Sequence, residues 1–237
     1  MTTTTAPVAP LQLPYSSLRR LMSDITGDAK HLPSATSTLD VLWVLYDRVL
    51  NVDPTNPDDP RRDRFYLSKG HGPASYYAVL AAKGFIPLPW LRTMGAFDSP
   101  LGYHPDHRLI PGVEVSTGSL GHGLPLAVGT ALGLRAQGNP ARVVVLLGDA
   151  ELDEGSNHEA IAYAARAGLD RLTAVVIDNS SSTHGWPGGI ARRFETEGWA
   201  ATSIYGRDHE RIEAALRGVP GDGPNVVVAV VEPKESA

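Results

Sequence analysis

Two polar residues placed just after apolar segments are the first candidates for chemistry in this sequence. Asp149 closely follows the segment Arg142–Leu147, and Asn179 closely follows Leu172–Ile177. Such runs are typical of strands buried on both faces of a parallel sheet, and the carboxyl ends of these strands form the edge where α/β sheets bind ligands. Neighbouring strands lie about 4.8 Å apart, so the two side chains would meet at this edge. A carboxylate oxygen and an amide oxygen are hard ligands. The pair therefore predicts a Mg²⁺ or Ca²⁺ site with positions left for phosphate oxygens.

The spacing of this pair supports the interpretation but does not prove it. Asn179 lies 30 residues beyond Asp149, about the length of one βαβ unit. The alternative is that Gly148-Asp149 is an ordinary strand-to-helix turn and Asn179 a turn residue, because short motifs also match by chance.

Several glycine-rich segments carry histidines that could approach an anion. His71 lies between two glycines, and His104 precedes a proline. Glycines at positions 118, 121 and 123 permit positive φ and a close approach of the backbone to a flat ligand. Each segment alone has a simpler explanation, such as a hydrogen-bonded loop histidine. His104 and His107 could suggest a metal site, but no third ligand lies nearby in the sequence.

The composition excludes several classes of protein. Of 237 residues, 42% are hydrophobic and 20% charged, as in ordinary globular domains. The net charge of −5 and the dispersed basic residues give no reason to expect nucleic-acid binding. The absence of cysteine excludes thiolate metal sites, disulfides and cysteine nucleophiles. No apolar run approaches the ~20 residues of a membrane span, and the start lacks the pattern of a secretory signal, so we expect a cytoplasmic protein.

Periodicity predicts alternating strands and helices, and hence an α/β fold with a doubly wound, mostly parallel sheet and helices on both faces. We expect residues 1–14 to form a disordered tail and residues 15–237 a single domain. Residues 27–34 are expected to be a loop, and Ser156 with Glu159 predicts a capping box at a helix start. The expected helices are 18–25, 38–50, 124–137, 156–168, 190–197 and 208–217, and the expected strands are 65–67, 142–147, 172–177, 201–205 and 225–231.

The motifs together resemble those of the transketolase family of thiamine diphosphate (ThDP) enzymes. The segment 148–160 has the sequence GDAELDEGSNHEA, and the segments 68–71, 102–105 and 117–123 are similar to the family's Ser-Lys-Gly-His, Gly-His-Pro and Thr-Gly-x-Leu-Gly-x-Gly motifs. The resemblance extends from about residue 15 to residue 231. It implies the family's diphosphate-binding (PP) domain fold, with ThDP and Mg²⁺ (or Ca²⁺) as cofactors.

The resemblance also implies a role for each site residue. The metal would be held by Asp149, Asn179 and the backbone carbonyl of Ser181, and Asp149 belongs to the Gly148-Asp149-Ala150 motif at the diphosphate. The remaining implied contacts are His71 with the diphosphate, Gly118 and the backbone of Leu120 with the aminopyrimidine, and His31 and His104 with the sugar substrate. Glu154 would lie near the interface between two active sites, although a helix N-terminal carboxylate favoured by the macrodipole is an equal alternative.

The resemblance covers one domain only, and the chain ends at Ala237. We therefore expect the N-terminal subunit of a split transketolase, inactive alone. A C-terminal subunit with the pyrimidine-binding domain would complete an α2β2 heterotetramer that transfers a two-carbon ketol unit from a ketose (phosphate) to an aldehyde. Two alternatives remain: an α-type subunit of a 2-oxo acid decarboxylase or dehydrogenase, and a non-catalytic scaffold.

Two loops depart from the family pattern. After His31 the sequence is Leu32-Pro33-Ser34 where Pro-Gly-Gly is usual, and the loop 180–186 is more polar than usual. These departures put the identity of the sugar substrate in doubt and leave the metal ligands unchanged.

Overall fold

The computed structural model describes residues 12–25, 32–218 and 221–233. The strands in this part of the chain are β1 (Arg64–Leu67), β2 (Val143–Gly148), β3 (Leu172–Asp178), β4 (Ala200–Tyr205) and β5 (Asn225–Val230). They form one sheet in the order β1-β2-β3-β5-β4, and every neighbouring pair is parallel. The predicted α/β class is confirmed.

Helices cover both faces of the sheet, as predicted. They are α1 (Leu18–Asp24), α2 (Leu32–Val44), α3 (Ala74–Ala82), α4 (Gly123–Ala136), α5 (Gly155–Arg166), α6 (Gly189–Glu197) and α7 (His209–Arg217). Helices α1, α2, α3 and α7 pack on one face against alternate strand residues such as Val144 and Leu146. Helices α4, α5 and α6 pack on the other face against Val143, Val145 and Leu147.

The two central strands are apolar along their whole length because both of their faces are covered. All six residues of β2 and the first six of β3 are buried. Burial of each Val, Leu or Ile side chain contributes about 1.5–3 kcal/mol, so this pair anchors the sheet. The edge strand β4 is partly exposed throughout. None of the helices within the described ranges is long and apolar enough to cross a membrane.

The second helix begins earlier than the sequence predicted. We expected a loop over 27–34 and a helix from Thr38, but α2 begins at Leu32 and is followed by one π-helical turn, Leu45–Val49. Pro33 suggested a loop, yet proline is tolerated in a first helical turn, where the missing N–H has no intrahelical partner. The prediction of a loop at 32–34 was therefore wrong.

The predicted capping box at the start of α5 was also wrong. Helix α5 begins at Gly155 with Glu154 as its N-cap residue, and no side chain caps it. The Ser156 hydroxyl instead donates to the carbonyl oxygen of Gly121, at 2.6 Å. Ser156, which the local motif assigns to the helix cap, therefore makes a long-range hydrogen bond instead.

The expected N-terminal tail includes three residues that the structure describes. The Leu13 N–H donates to the carbonyl of Ala82 at 2.9 Å, and the Gln12 side chain donates to the carbonyl of Lys83 at 3.1 Å. The predicted tail therefore includes residues held against the end of α3. Residues 1–11 lie outside the described part of the chain.

Helix α7 has a side-chain N-cap, Asp208, which allows a direct test. The Asp208 carboxylate accepts hydrogen bonds from the N–H groups of Glu210 and Arg211, both at 3.1 Å. We expect Asp208→Ala to lower the free energy of unfolding by about 1 kcal/mol in urea denaturation. The matched control is Glu159→Ala, which removes an exposed carboxylate from α5 and should change stability by less than about 0.5 kcal/mol. Equal losses in both variants would contradict the capping role.

Candidate functional site

The register of β2 and β3 brings the two predicted strand-end residues to one place. Gly148 pairs with Ile177, and the Asp149 N–H donates to the Ile177 carbonyl at 3.0 Å. The side chains of Asp149 and Asn179 follow these paired positions, and each residue is only 3% exposed. A carboxylate and an amide therefore lie buried at adjacent strand ends, at the carboxyl edge of the sheet.

The Asp149 carboxylate is oriented by the loop that follows β3. One oxygen, Oδ1, accepts from the Ala150 N–H at 2.8 Å and from the Ser181 hydroxyl. The other, Oδ2, accepts from the N–H groups of Ser181 at 2.6 Å and Ser182 at 3.1 Å. Because four donors point at it, the carboxylate has a fixed orientation and the loop is closed over it.

Asn179 supplies the observation that most directly indicates a ligand-binding site. Its side-chain oxygen Oδ1 is buried and accepts no hydrogen bond from any described residue. A buried carbonyl oxygen without a donor costs about 1–3 kcal/mol, so native structures keep such groups for a reason. The next residue, Ser180, has a left-handed backbone with φ of +55° and is the single non-glycine residue with positive φ in the described chain. This strain bends the loop back towards Asp149.

The donor set fits a small hard cation. An aspartate oxygen, an amide oxygen and a backbone carbonyl at Ser181 are the ligand types of Mg²⁺ and Ca²⁺, which use oxygen rather than nitrogen or sulfur. No group of three His, Cys, Asp or Glu residues that could hold a metal occurs among the residues described. That finding is compatible with this set, in which two of three ligands are neutral oxygens.

The glycine-rich segments that carry His71, His104 and Gly118 lie against one another. They form a second wall of the site, beside the pair Asp149 and Asn179. A Cβ on Gly118 would lie 2.9 Å from Cδ2 of His104, so the histidine ring lies directly on this backbone. The ring centroids of His71 and His104 are 5.4 Å apart, and the ring planes are inclined by 62°. A Cβ on Gly70 would lie 2.7 Å from the Gly118 nitrogen. Leu120, half-buried, follows in the same loop.

One buried acid at this site was missed by the sequence analysis. Glu151, 2% exposed, follows Asp149 in a single 3₁₀ turn and accepts hydrogen bonds from the Gly121 and Gly148 N–H groups. Burial raises the pKa of Glu151, while these hydrogen bonds and the one from Ser68 act in the opposite direction. The sequence offered no signal, since a glutamate in a first turn is normally exposed.

Of the two remaining predicted residues, Glu154 and His31, the structure describes only Glu154. Glu154 is exposed at the start of α5, where its Cβ lies against Gly121. Its position fits both the expected interface role and the helix-terminal alternative. His31 lies outside the described residues. The structure therefore brings together ten of the eleven predicted site residues along the carboxyl edge and the loops beside it: His71, His104, Gly118, Leu120, Gly148, Asp149, Ala150, Glu154, Asn179 and Ser181.

Fold and site together define an α/β protein with a buried carboxylate and a buried amide at the carboxyl edge of its sheet, beside tightly packed glycine-rich loops. The family model described as "Transketolase, thiamine diphosphate binding domain" matches residues 14–221. The chain thus belongs to the transketolase family, and the described fold is that of its ThDP-binding domain.

Three relatives illustrate this membership. "Ferredoxin fas2" from Rhodococcoides fascians is 57% identical over 94% of this chain and 73% of its own length. An apulose-4-phosphate transketolase subunit from Actinobacillus succinogenes is 39% identical over 84% of this chain and 75% of its own length. A transketolase structure from Pichia stipitis aligns with a TM-score of 0.78 and 26% identity over 91% of this chain. The chain spans only 35% of that transketolase.

The surroundings of Gly121 and Gly133 predict opposite effects of an alanine substitution on stability. Gly121 has φ of +82°, and a Cβ there would lie 2.6 Å from the Glu154 Cβ and 2.7 Å from the Ser156 hydroxyl. We expect Gly121→Ala to lower the free energy of unfolding by about 1–3 kcal/mol. The control Gly133→Ala lies in α4 with no atom within 4 Å of the new methyl group, and should raise stability by up to about 1 kcal/mol. Urea denaturation measures both, and a tolerated Gly121→Ala would show that the loop is less tightly packed.

Proposed function

We propose that this chain is the N-terminal subunit of a two-component, cytoplasmic transketolase-like enzyme that depends on ThDP and Mg²⁺. It would transfer a two-carbon ketol unit from a ketose (phosphate) donor to an aldehyde acceptor, and only when assembled with its partner subunit. The observation that carries the proposal is the buried Asn179 Oδ1, which accepts from none of the described residues, beside the oriented carboxylate of Asp149. A cation bound by both would satisfy the orphan oxygen and hold a diphosphate.

When bound, ThDP supplies an electron sink for cleavage of the bond beside a ketose carbonyl. The residues of this chain bind and orient. Asp149, Asn179 and the Ser181 carbonyl would hold the cation, and His71 would donate to the diphosphate. The backbone at Gly118 and Leu120 would border the aminopyrimidine.

The histidines near the second wall are suited to the substrate. His104, fixed against Gly118, would hydrogen-bond a sugar hydroxyl or carry a proton, because the ring nitrogens of histidine can donate and accept hydrogen bonds. His31 would have the same role. Their neighbours in the loops would set which sugar is accepted.

The names of relatives support the proposal of a partner subunit. Two relatives are named as transketolase subunits: the Actinobacillus succinogenes protein above and "6-deoxy-6-sulfo-D-fructose transketolase subunit SqwG" from Clostridium sp., 36% identical. The proposed partner carries the pyrimidine-binding domain, and two copies of each chain would form an α2β2 assembly. The exposed Glu154 at the start of α5 is available for contact between active sites in such an assembly.

A redox function is the second candidate, because the relative with 57% identity is named a ferredoxin. This chain contains no cysteine, so it cannot hold an iron–sulfur cluster through thiolates. A 2-oxo acid oxidation would therefore need a cluster or another electron acceptor outside residues 1–237. The same metal site would serve such a reaction, so the two functions are distinguished by which substrate the enzyme converts.

The activity test separates the candidates. We expect the assembled pair to form a new ketose from a ketose donor and an aldehyde acceptor, detected by mass spectrometry, and the isolated chain to form none. Turnover of pyruvate to carbon dioxide without ketol transfer would instead favour the 2-oxo acid function. Absence of both activities, together with absence of Mg²⁺-dependent ThDP binding in calorimetry, would favour the scaffold alternative.

Removal of a metal ligand should separate binding from stability. Asn179→Ala removes an oxygen that has no donor to lose, so we expect less than about 1 kcal/mol change in unfolding free energy but loss of Mg²⁺-dependent ThDP binding by the assembled pair. Asp149→Ala should lose the same binding with the fold retained.

The matched control is Asn225→Ala, at the opposite end of the sheet. Asn225 is also buried, and it accepts from the Thr173 hydroxyl at 2.7 Å. Its removal should cost about 1 kcal/mol of stability and leave ThDP affinity unchanged. Retention of metal-dependent binding in Asn179→Ala would exclude Asn179 as a ligand. Calorimetry and urea denaturation measure the two quantities.

A further inference from the structure

The carboxylate of Glu151 has no part in the proposed cation or substrate contacts. It follows the metal-binding Asp149 by two residues and is 2% exposed. Buried carboxylates are costly unless hydrogen bonds satisfy them, so the contacts of this one indicate what it does.

Three separate segments donate hydrogen bonds to this carboxylate. Oε1 accepts from the Ser68 hydroxyl and from the Gly121 N–H at 3.0 Å, and Oε2 accepts from the Gly148 N–H at 3.2 Å. The Ser68 oxygen in turn accepts from the Gly123 N–H at 3.0 Å. One carboxylate therefore connects the ends of β1 and β2 with the start of α4.

These donors begin or end the segments that line the site. Ser68 opens the Ser-Lys-Gly-His segment, and Gly121 closes the loop that begins at Gly118. Gly148 directly precedes Asp149. A shift of any donor relative to Glu151 would move a wall of the site.

The glycines leave no room for another group to take over this function. A Cβ on Gly121 would lie 2.6 Å from the Glu154 Cβ, and one on Gly123 would lie 2.3 Å from the Ser68 Cβ. The loop backbone is thus packed directly on its neighbours, and its buried N–H groups must find acceptors there. A carboxylate offers two acceptor oxygens. A glutamine of the same shape would offer one, and its NH₂ group would face an N–H donor.

We propose that Glu151 is a positioning residue, whose carboxylate holds the three loops of the site in the arrangement that the cofactor requires. The identity of the cofactor rests on the proposed function. The ordering of the loops by Glu151 does not rest on the proposed function, because its hydrogen bonds are formed within this chain.

Hydrogen exchange of Glu151→Gln tests the positioning directly. In the assembled protein without cofactor, we expect amide exchange in segments 117–124 and 146–152 to accelerate at least about tenfold, which corresponds to one lost hydrogen bond to a charged group. Exchange in β5 should not change. In calorimetry with Mg²⁺ and ThDP, the affinity should fall at least about tenfold for the same reason.

Asp63→Asn is the matched control, because it also alters a buried, multiply bonded carboxylate. Asp63 is 4% exposed and lies at the opposite end of the sheet, where it accepts from the N–H groups of Asn51 at 2.9 Å and Arg142 at 2.8 Å. It also pairs with the Arg142 guanidinium at 2.8 Å. We expect lower stability, unchanged exchange in 117–124, and ThDP affinity within about twofold of the natural protein.

Several outcomes would overturn the proposal. Unchanged exchange in 117–124 and 146–152 of Glu151→Gln would do so, as would an equal loss of ThDP affinity in both variants. If Glu151→Gln does not fold, Ser68→Ala replaces it, and accelerated exchange confined to the segment around Gly123 is expected; uniform acceleration would refute the positioning role. Failure of the natural pair to bind ThDP would refute the proposed function alone, since the exchange experiment needs no cofactor.

Discussion

The parallel register between β2 and β3 is the constraint on which the site depends. It places Gly148 opposite Ile177, and the strand ends that follow present Asp149 and Asn179 at the same edge. A slip of one residue would turn every side chain of a strand to the other face, and the close packing of differently shaped side chains on both faces opposes it. Asp149 and Asn179 are therefore positioned by the packing of the core, although they lie beyond the ends of its strands.

The loops around this fixed pair are held by polar contacts rather than by apolar packing. Asp149 accepts from the loop after β3, and Glu151 accepts from Gly121 and from Gly148, which directly precedes Asp149. Hydrogen bonds have directional requirements, so such contacts specify one arrangement of backbone segments more sharply than apolar contacts do. Glycines at the contact points allow the segments to touch, as at Gly121.

The sequence predicted those features that arise from local patterns. Apolar runs gave the strands, and the spacing of Asp149 and Asn179 gave the pair at the sheet edge. The errors occurred where a distant contact overrides a local pattern. Ser156 has the local setting of a helix cap, but it donates to Gly121, 35 residues away. Glu151 has the setting of an exposed first-turn acid, but Ser68, 83 residues away, helps to bury it. Only the fold shows which distant groups meet.

The same distinction explains why departures from the family pattern leave the backbone contacts between Asp149 and the loop after β3 intact. In the loop after Asn179, Ser181 contributes its N–H to Asp149, and the proposed metal contact is its carbonyl; any residue type has both groups. The polar side chains of this loop add contacts, because the Ser181 hydroxyl donates to Asp149 and the Ser182 hydroxyl donates to Asp153 at 3.1 Å. The departure therefore anchors the loop to the end of β2. A substitution of this kind can change the side chains that the loop exposes without moving the backbone groups that contact Asp149.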